Sequence, residues 1–293
     1  MDASIQKYLN QFLSDKLNLR ISSFQFLPVG GGSINDTFQL TINHTIKFFL
    51  KLNSAARYPR LFEKERNGLE FLGKQKIIHV PALIAFDEIG GHQVLLLEWI
   101  EGGLKTEKFW KQFGEQLAAL HHTTNLHFGF EEDNYMGALP QLNNQQKNWI
   151  EFFIHCRLEP QIKMAGEKHF LQTKHLDTFE HLYSRLTGIF NIESPSLLHG
   201  DLWSGNFMCN QNSEPVLIDP AVYFGHRSMD LAMTTLFGDF DKPFYESYHY
   251  HLPLPRNHHE QWEICNLYPL LIHLNLFGRG YLGQIEAILR KFG

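Results

Sequence analysis

The apolar residues of this chain change their spacing near residue 100, and no other feature constrains its fold as strongly. Before that point they come in short aromatic and β-branched runs with polar or Gly-rich breaks: "SSFQFLPVGGGSINDTFQLTI", "HTIKFFLKL" and "VPALIAFDEIGGHQVLLLEWI". Runs of that length, with Gly-Gly at 90–91, spell strands and a hairpin. One helical segment, "RLFEKERNGLEFLGKQ", interrupts them. An amphipathic helix precedes them, with Ile5, Tyr8, Leu9, Phe12 and Leu13 at helical spacing. Beyond "EGG" at 101–103 the repeat becomes three and four, as in Phe109, Phe113, Leu117 and Leu120. "WIEFFIHCRLEPQIKMA" and "HLDTFEHLYSRLTGIF" read as helices too, and the end places Leu282, Ile285, Ile288, Leu289 and Phe292 on one stripe. Among these helices, "NFMCNQNSEPVLIDP" reads as a hairpin. The expected architecture is α+β and two-lobed, with a small β-rich lobe over 1–100 and a larger helical lobe over 101–293. A cleft between lobes is a natural ligand site.

The bulk properties remove several function classes. A net charge of −5 without a long run of Lys or Arg argues against a nucleic-acid partner. The most apolar run, "VLLLEWI", is far too short to span a bilayer, so no membrane partner is expected. The start carries no apolar signal core. Cys156, Cys209 and Cys265 form no CxxC pattern and suit a reducing cytoplasm. The glycosylation sequons at Asn35 and Asn43 are discounted on the same grounds. "HHTTNLH" (121–127) and "RNHHE" (256–260) lack the spacing of a HExxH helix or a Cys/His finger, and read as solvated or hydrogen-bonded histidines.

The chemistry lies in four places. In "VGGGSIND" three consecutive glycines would let backbone N–H groups approach an anion, although the spacing is not GxGxxG and a plain glycine-rich hairpin fits as well. In "TIKFFLKL", Ile46, Phe48, Leu50 and Leu52 share one strand face, and Lys47, Phe49 and Lys51 share the other. A lysine there is a solvated outer-face residue unless a carboxylate reaches it. Glu65 can do so, because it falls on the apolar stripe formed with Leu61, Leu69 and Leu72. An inward carboxylate needs a cation, and Lys51 on the preceding strand is the obvious one; the bland alternative is a glutamate at the stripe's edge reaching water. Finally, "LLHGDLWSGN" fits H-x-D-x-x-x-x-N, the catalytic-loop spacing of kinases. In that pattern Asp201 would deprotonate an incoming hydroxyl and Asn206 would hold Mg²⁺. "VLIDP" sets Asp219 eighteen positions past Asp201, at the end of an apolar strand, where a carboxylate can bind the metal that bridges nucleotide phosphates.

The whole chain resembles the fructosamine kinase (ketosamine kinase) family, a branch of the kinase-like small-molecule phosphotransferases related to aminoglycoside kinases. The resemblance rests on "GGGSIN", "FLKLN", "FEKERNGLEFL", "GEQLAALH", "GALPQLN", "LLHGDLWSGNF", "LIDPAVYFGHRSMDLA" and "LFGDF". It implies a protein-kinase-like fold and an ATP- and Mg²⁺-dependent transfer to a sugar hydroxyl of a ketosamine, freeing the amine of a glycated amine or protein. By position it implies that Gly31, Gly32 and Ser33 lie in the phosphate loop and that Lys51 contacts phosphates and pairs with Glu65. It implies further that the backbone at Glu98, Trp99 and Ile100 meets adenine, that Asp201 is the base, and that Asn206 and Asp219 are the metal ligands. Asp230 resembles an aspartate that braces the catalytic loop, while Trp203 and His226 would sit at the substrate end of the cleft. Gly200 stands where many protein kinases have Arg, Pro220-Ala221 follows Asp219 in place of Phe-Gly, and no APE follows. These departures point to a small acceptor, and a cytoplasmic monomer is expected. The alternatives are a kinase of another sugar, aminoglycoside or amino alcohol, and a non-catalytic nucleotide-binding protein.

Overall fold

The computed structural model describes residues 3–30, 34–238 and 240–293. Helix α1 (Ala3–Leu17) precedes β1 (Phe24–Pro28), β2 (Asp36–Ile42), β3 (Ile46–Ser54), helix α2 (Leu61–Gln75), β4 (Leu83–Ile89) and β5 (His92–Glu98). The five strands make one antiparallel sheet in the order β1-β2-β3-β5-β4. Its two faces are covered by different helices. Ile5, Leu9 and Leu13 of α1 pack with Leu40, Leu50, Leu52, Val94 and Leu96, and Leu61, Phe62 and Leu69 of α2 pack with Leu95 and Leu97. Strand β5 is therefore buried on both sides, which is why "VLLL" reads as a continuous apolar run and not as an alternation. The same double cover puts Lys51 inside: it is 1% exposed, whereas Lys47 of the same face is exposed at the strand's far end.

The second part is built on α3 (Glu107–His121), capped by Thr106, whose side chain accepts from the Phe109 N–H. A short hairpin follows, β6 (Asn134–Met136) and β7 (Leu139–Gln141). The segment expected to be one helix from 149 is three pieces: α4 (Trp149–Phe152), a π-helical stretch (Phe153–Leu158) and α5 (Glu159–Glu167). The wider turn carries Arg157, fully buried over the rings of Tyr223 and Phe152. After α6 (Thr173–Ile189), strands β8 (Ser196–Leu198), β9 (Phe207–Cys209), β10 (Pro215–Leu217) and β11 (Tyr223–Gly225) form two small antiparallel pairs, β8 with β11 and β9 with β10. Helices α7 (Ser228–Met233), α8 (Lys242–His251), α9 (His258–Cys265), α10 (Leu267–Phe277) and α11 (Leu282–Phe292) complete the chain. Their apolar faces join α3 and the small strands in one large core. No helix among the described residues is long and apolar enough to cross a membrane.

Candidate active site

Three carboxylates and one lysine meet where the two parts face each other. Lys51 Nζ, delivered by β3, lies 2.7 and 2.8 Å from the two carboxylate oxygens of Glu65 on α2 and 3.1 Å from Asp219 Oδ1. Burial works against the Lys51 charge, but Asp219 and Glu65 overrule it and hold the ammonium up at about 12. Burial pushes Glu65 up to about 7, with Lys51 pulling the other way. Asp219 is far more open, 43% exposed in its side chain, and faces the cleft from a left-handed backbone (φ 53°). Asp and Asn tolerate that conformation better than most residues, and strain of this kind is concentrated at functional sites.

The loop after β8 carries the second half. Gly200 has φ 85°, and a Cβ there would lie 2.0 Å from the Ala221 carbonyl oxygen, so only glycine lets the loop lie against the segment after Asp219. The buried Asp230 accepts from the backbone N–H of His199 at 2.7 Å and of Gly200 at 2.8 Å, which is the bracing contact its sequence position suggested. The His199 ring is used up structurally: Nε2 donates to the Ile218 carbonyl at 2.9 Å, and Nδ1 accepts from the Asp201 N–H at 3.3 Å. Asn206 Nδ2 donates to the Asp201 carbonyl at 2.9 Å and to Asp201 Oδ2 at 2.8 Å. Burial pushes Asp201 up to about 7; the Asn206 bond opposes this, and the charges of Asp219 and Asp230 add to it. A carboxylate tuned to that range is suited to take a proton near neutrality.

The residues present fit a magnesium ion. Both Nδ2 protons of Asn206 are committed to Asp201, so its Oδ1 is the atom left for a cation, and Asp219 adds a partly open carboxylate beside it. Oxygen-only donors of this kind suit Mg²⁺. Among the described residues no cluster of three His, Cys, Asp or Glu side chains could hold a metal alone, so the remaining positions would fall to water and phosphate oxygens.

Asn35, Lys51, Glu65, Asp201, Trp203, Asn206 and Asp219 all line one cavity. Gly31, Gly32 and Ser33 lie outside the described residues. Glu98 ends β5, and its N–H donates to the Ala82 carbonyl while its carboxylate accepts from the Ala82 N–H, so both of those groups serve the sheet. Trp99, beside the ring of Phe49, and the buried Ile100 follow directly. His226 requires a correction. It is 1% exposed, packed against Trp149 and Phe190 near Glu193, and absent from the cavity; desolvation pulls it down to about 4. It sits one residue beyond β11, whose strands face the core, so its ring follows them inward.

Other cavity residues were not anticipated. Tyr135 and Met136 come from the β6–β7 hairpin, and His273 and Phe277 from α10. Phe237 bridges Trp203 and His273, with ring centroids at 6.0 and 4.6 Å. One signal was available: His273 and Asn275 are the two strongly polar residues of a largely apolar stretch, "LYPLLIHLNLF".

Residues 4–292 match the family model described as "Fructosamine kinase". A "Probable ketoamine kinase" of Enterococcus faecium is 36% identical over 285 residues, spanning 96% of this chain and 98% of that protein. The "Ketosamine-3-kinase" of Mus musculus is 32% identical over 304 residues, spanning 94% and 97%. The crystal structure of a candidate fructosamine-3-kinase from Haemophilus somnus superposes with a TM-score of 0.86 at 26% identity, covering 99% of this chain and 96% of that one.

Proposed function

The chain belongs to the fructosamine kinase family of phosphotransferases, and from that premise we propose that it transfers the γ-phosphate of ATP to a sugar hydroxyl of a ketosamine. The observation that carries this reading is the pairing of Asp201, tuned upward to about 7, with the Lys51–Glu65–Asp219 cluster across one cleft. The boundary falls near residue 100, with a nucleotide lobe before it and a catalytic lobe after it. Lys51, held charged and in place by Glu65, grips the nucleotide phosphates. Backbone groups of 98–100 meet the adenine. Asn206 Oδ1 and Asp219 hold Mg²⁺, which when bound offsets the negative charge of the phosphates. Asp201 accepts the proton of the acceptor hydroxyl as its oxygen attacks, and Asn206 keeps the accepting carboxylate oriented. The aromatic wall of Trp203 holds the acceptor. Three buried cysteines without a disulfide support action in a reducing, cytoplasmic setting. We take the working unit to be a monomer.

The test is incubation with Mg-ATP and a panel of fructosyl-lysine, ribulosyl-lysine, their free sugars, an aminoglycoside and choline. ADP release is followed together with the mass of each acceptor, and Asp201→Asn serves as control. Phosphate gained by the ketosamines alone, and lost in the variant, is the expected result. Transfer to the aminoglycoside or choline instead would keep the phosphate machinery and overturn the acceptor. Nucleotide binding without transfer would favour a non-catalytic role.

A further inference from the structure

In protein kinases the lysine–glutamate pair forms only when the helix bearing the glutamate is swung toward the lysine, and that swing is what activation controls. Here the pair is formed, and the contacts on α2 supply a physical reason. One turn of α2 is gripped by the segment that leads into β6. Glu132 accepts from Lys64 Nζ through one carboxylate oxygen, and from Asn67 Nδ2 at 2.7 Å through the other. Lys64 and Asn67 are three positions apart and share one face of α2, turned away from the face that carries Glu65, so a carboxylate fixed to both sets the rotation and height of the helix at that level. Burial would raise Glu132, but Asn67 and Lys64 win and hold it low, so the grip is charged at neutral pH.

The anchor at the other end is a buried hydrogen-bonded network. The Glu132 carbonyl accepts from Asn143 Nδ2 at 3.0 Å. Asn143 Oδ1 accepts from the buried Arg157 at 2.8 Å. Two residues on, Asn134 Nδ2 donates to the Val222 carbonyl at 2.8 Å and Gln141 Nε2 to the Ala221 carbonyl at 3.1 Å, and the Gln141 Oε1 accepts from Tyr268 at 2.9 Å. Residues 221 and 222 directly follow the Asp219-Pro220 turn. The same buried network therefore fixes the position of α2 and the backbone beside Asp219. At the edge of the hairpin, Tyr135 OH also donates to the Pro59 carbonyl at 3.0 Å, just before α2 begins. Where α2 passes residues 220–222, Gly68 lets the helix lie close: a Cβ there would be 3.3 Å from Val222 Cγ2 and 3.4 Å from Pro220 Cγ.

We propose that Glu132 is a positioning residue for phosphoryl transfer: by clamping Lys64 and Asn67 it holds α2 where Glu65 reaches Lys51. The clamp makes the pair a permanent feature of the fold, in keeping with a chain that lacks the APE segment of protein kinases. This rests on the reading that Lys51 grips the nucleotide phosphates. Glu132 touches neither substrate nor phosphate and acts only through α2.

The experiment uses the full chain, with Glu132→Ala, Glu132→Gln and, should the first fail to fold, Asn67→Ala. Hydrogen exchange is followed by peptide, alongside turnover and direct ADP binding. The expected result for Glu132→Ala is exchange about tenfold faster in 61–75, with the large C-terminal core unchanged. Turnover is expected to fall about tenfold, because small displacements of a phosphate-gripping group are costly. Glu132→Gln keeps an acceptor for Asn67 and should recover part of the loss. In a Glu65→Gln background the Glu132→Ala substitution should change turnover little, since the residue it serves is already disabled. Unchanged exchange in 61–75, or faster exchange spread through the whole molecule, overturns the proposal. So does an undiminished effect in the Glu65→Gln background. If the wild-type protein binds ADP but phosphorylates no ketosamine, the acceptor reading fails while the exchange data still judge the clamp.

Discussion

Lys51 and Arg157 are both almost completely buried, yet their surroundings are opposite. Lys51 has two carboxylates within 3.1 Å. Arg157 forms no ion pair among the described residues; its guanidinium donates to the Leu142 and Cys156 carbonyls and to Asn143 Oδ1, and stacks 3.9 Å from the centroid of Tyr223. The lysine is outnumbered by carboxyl groups: Glu65 and Asp219 contact its ammonium, and Asp201 lines the same cavity. Such a cluster is incomplete without a further cation, and Asp219 is open toward the cleft to receive one. The two terminal nitrogens of the arginine are served by neutral carbonyl and amide oxygens and its plane by rings, while its buried Nε has no hydrogen-bond partner among the described residues. A surplus of carboxyl groups open to the cleft marks the site, and a cation closed in by neutral oxygens and rings marks the brace.

Substitutions at the two places should therefore fail in different ways. Asp201→Asn keeps the shape of the loop but removes the proton acceptor, so turnover should drop by about a thousandfold while ADP affinity stays within about twofold. Turnover near that of wild type would end the assignment of Asp201 as the base. Arg157→Met should do the reverse. It leaves the Asn143 amide oxygen and the Leu142 carbonyl buried without their donor, at a cost of about 3 kcal/mol in urea unfolding. The turnover of the folded fraction should fall far less than in Asp201→Asn, because Arg157 reaches the site only through the Asn143–Glu132 contact. A variant as stable as wild type would show the brace to be dispensable.

A smaller effect is expected within the cluster. Lys51→Met and Glu65→Gln should each impair nucleotide binding, and the double variant should be little worse than either, with a coupling of about 1 kcal/mol or more in a double-mutant cycle. Additive losses would mean that the two residues act independently despite their contact. The smallest effects concern pH. Asp201 must be ionised to accept a proton, so kcat/KM should rise with pH and level off above about 7. Its folded-state value lies above the ordinary carboxylate value of 3.8, so folding is favoured when it is protonated, and that contribution is lost as pH rises through about 7. Asp201→Asn should accordingly raise Tm at pH 8, by about 2–4 °C for each kcal/mol relieved, and leave it nearly unchanged at pH 4. Equal shifts at both pH values would show that burial does not raise Asp201.

Much of the site could be read from residue order. Glu65 sits on an apolar helical stripe where a carboxylate has no business unless it is paired, and that anomaly alone called for Lys51. The spacing of Asp201, Asn206 and Asp219 carried the catalytic loop, because both residue type and interval are set by local turns. The period change near 100 falls where the strand-rich part ends with β5 and the helical part begins with α3. Less legible was anything set by packing between distant segments. The burial of Lys51 depends on α2 lying over a strand face that its own alternation leaves open. His226 reads as a polar residue near the site, but the strand before it turns it into the core beside Trp149. The break of the 149–167 helix into a π-helical stretch leaves no mark in its apolar pattern.

What the sequence by itself determined is the set of chemical groups and their order: a lysine on a strand, a glutamate on the next helix, and an aspartate and asparagine in one loop with a further aspartate after a hairpin. These are local properties, fixed by periodicity and turn residues within a few positions of each group. What only the tertiary structure decided is which remote side chains stand beside them. Glu132 reaches Lys64 and Asn67 across 65 residues or more of chain, and His273 joins the wall of a cleft whose lysine is 222 positions earlier. Contacts of that range come from the mutual burial of faces that each segment displays without naming its partner, so no single stretch of residues contains them.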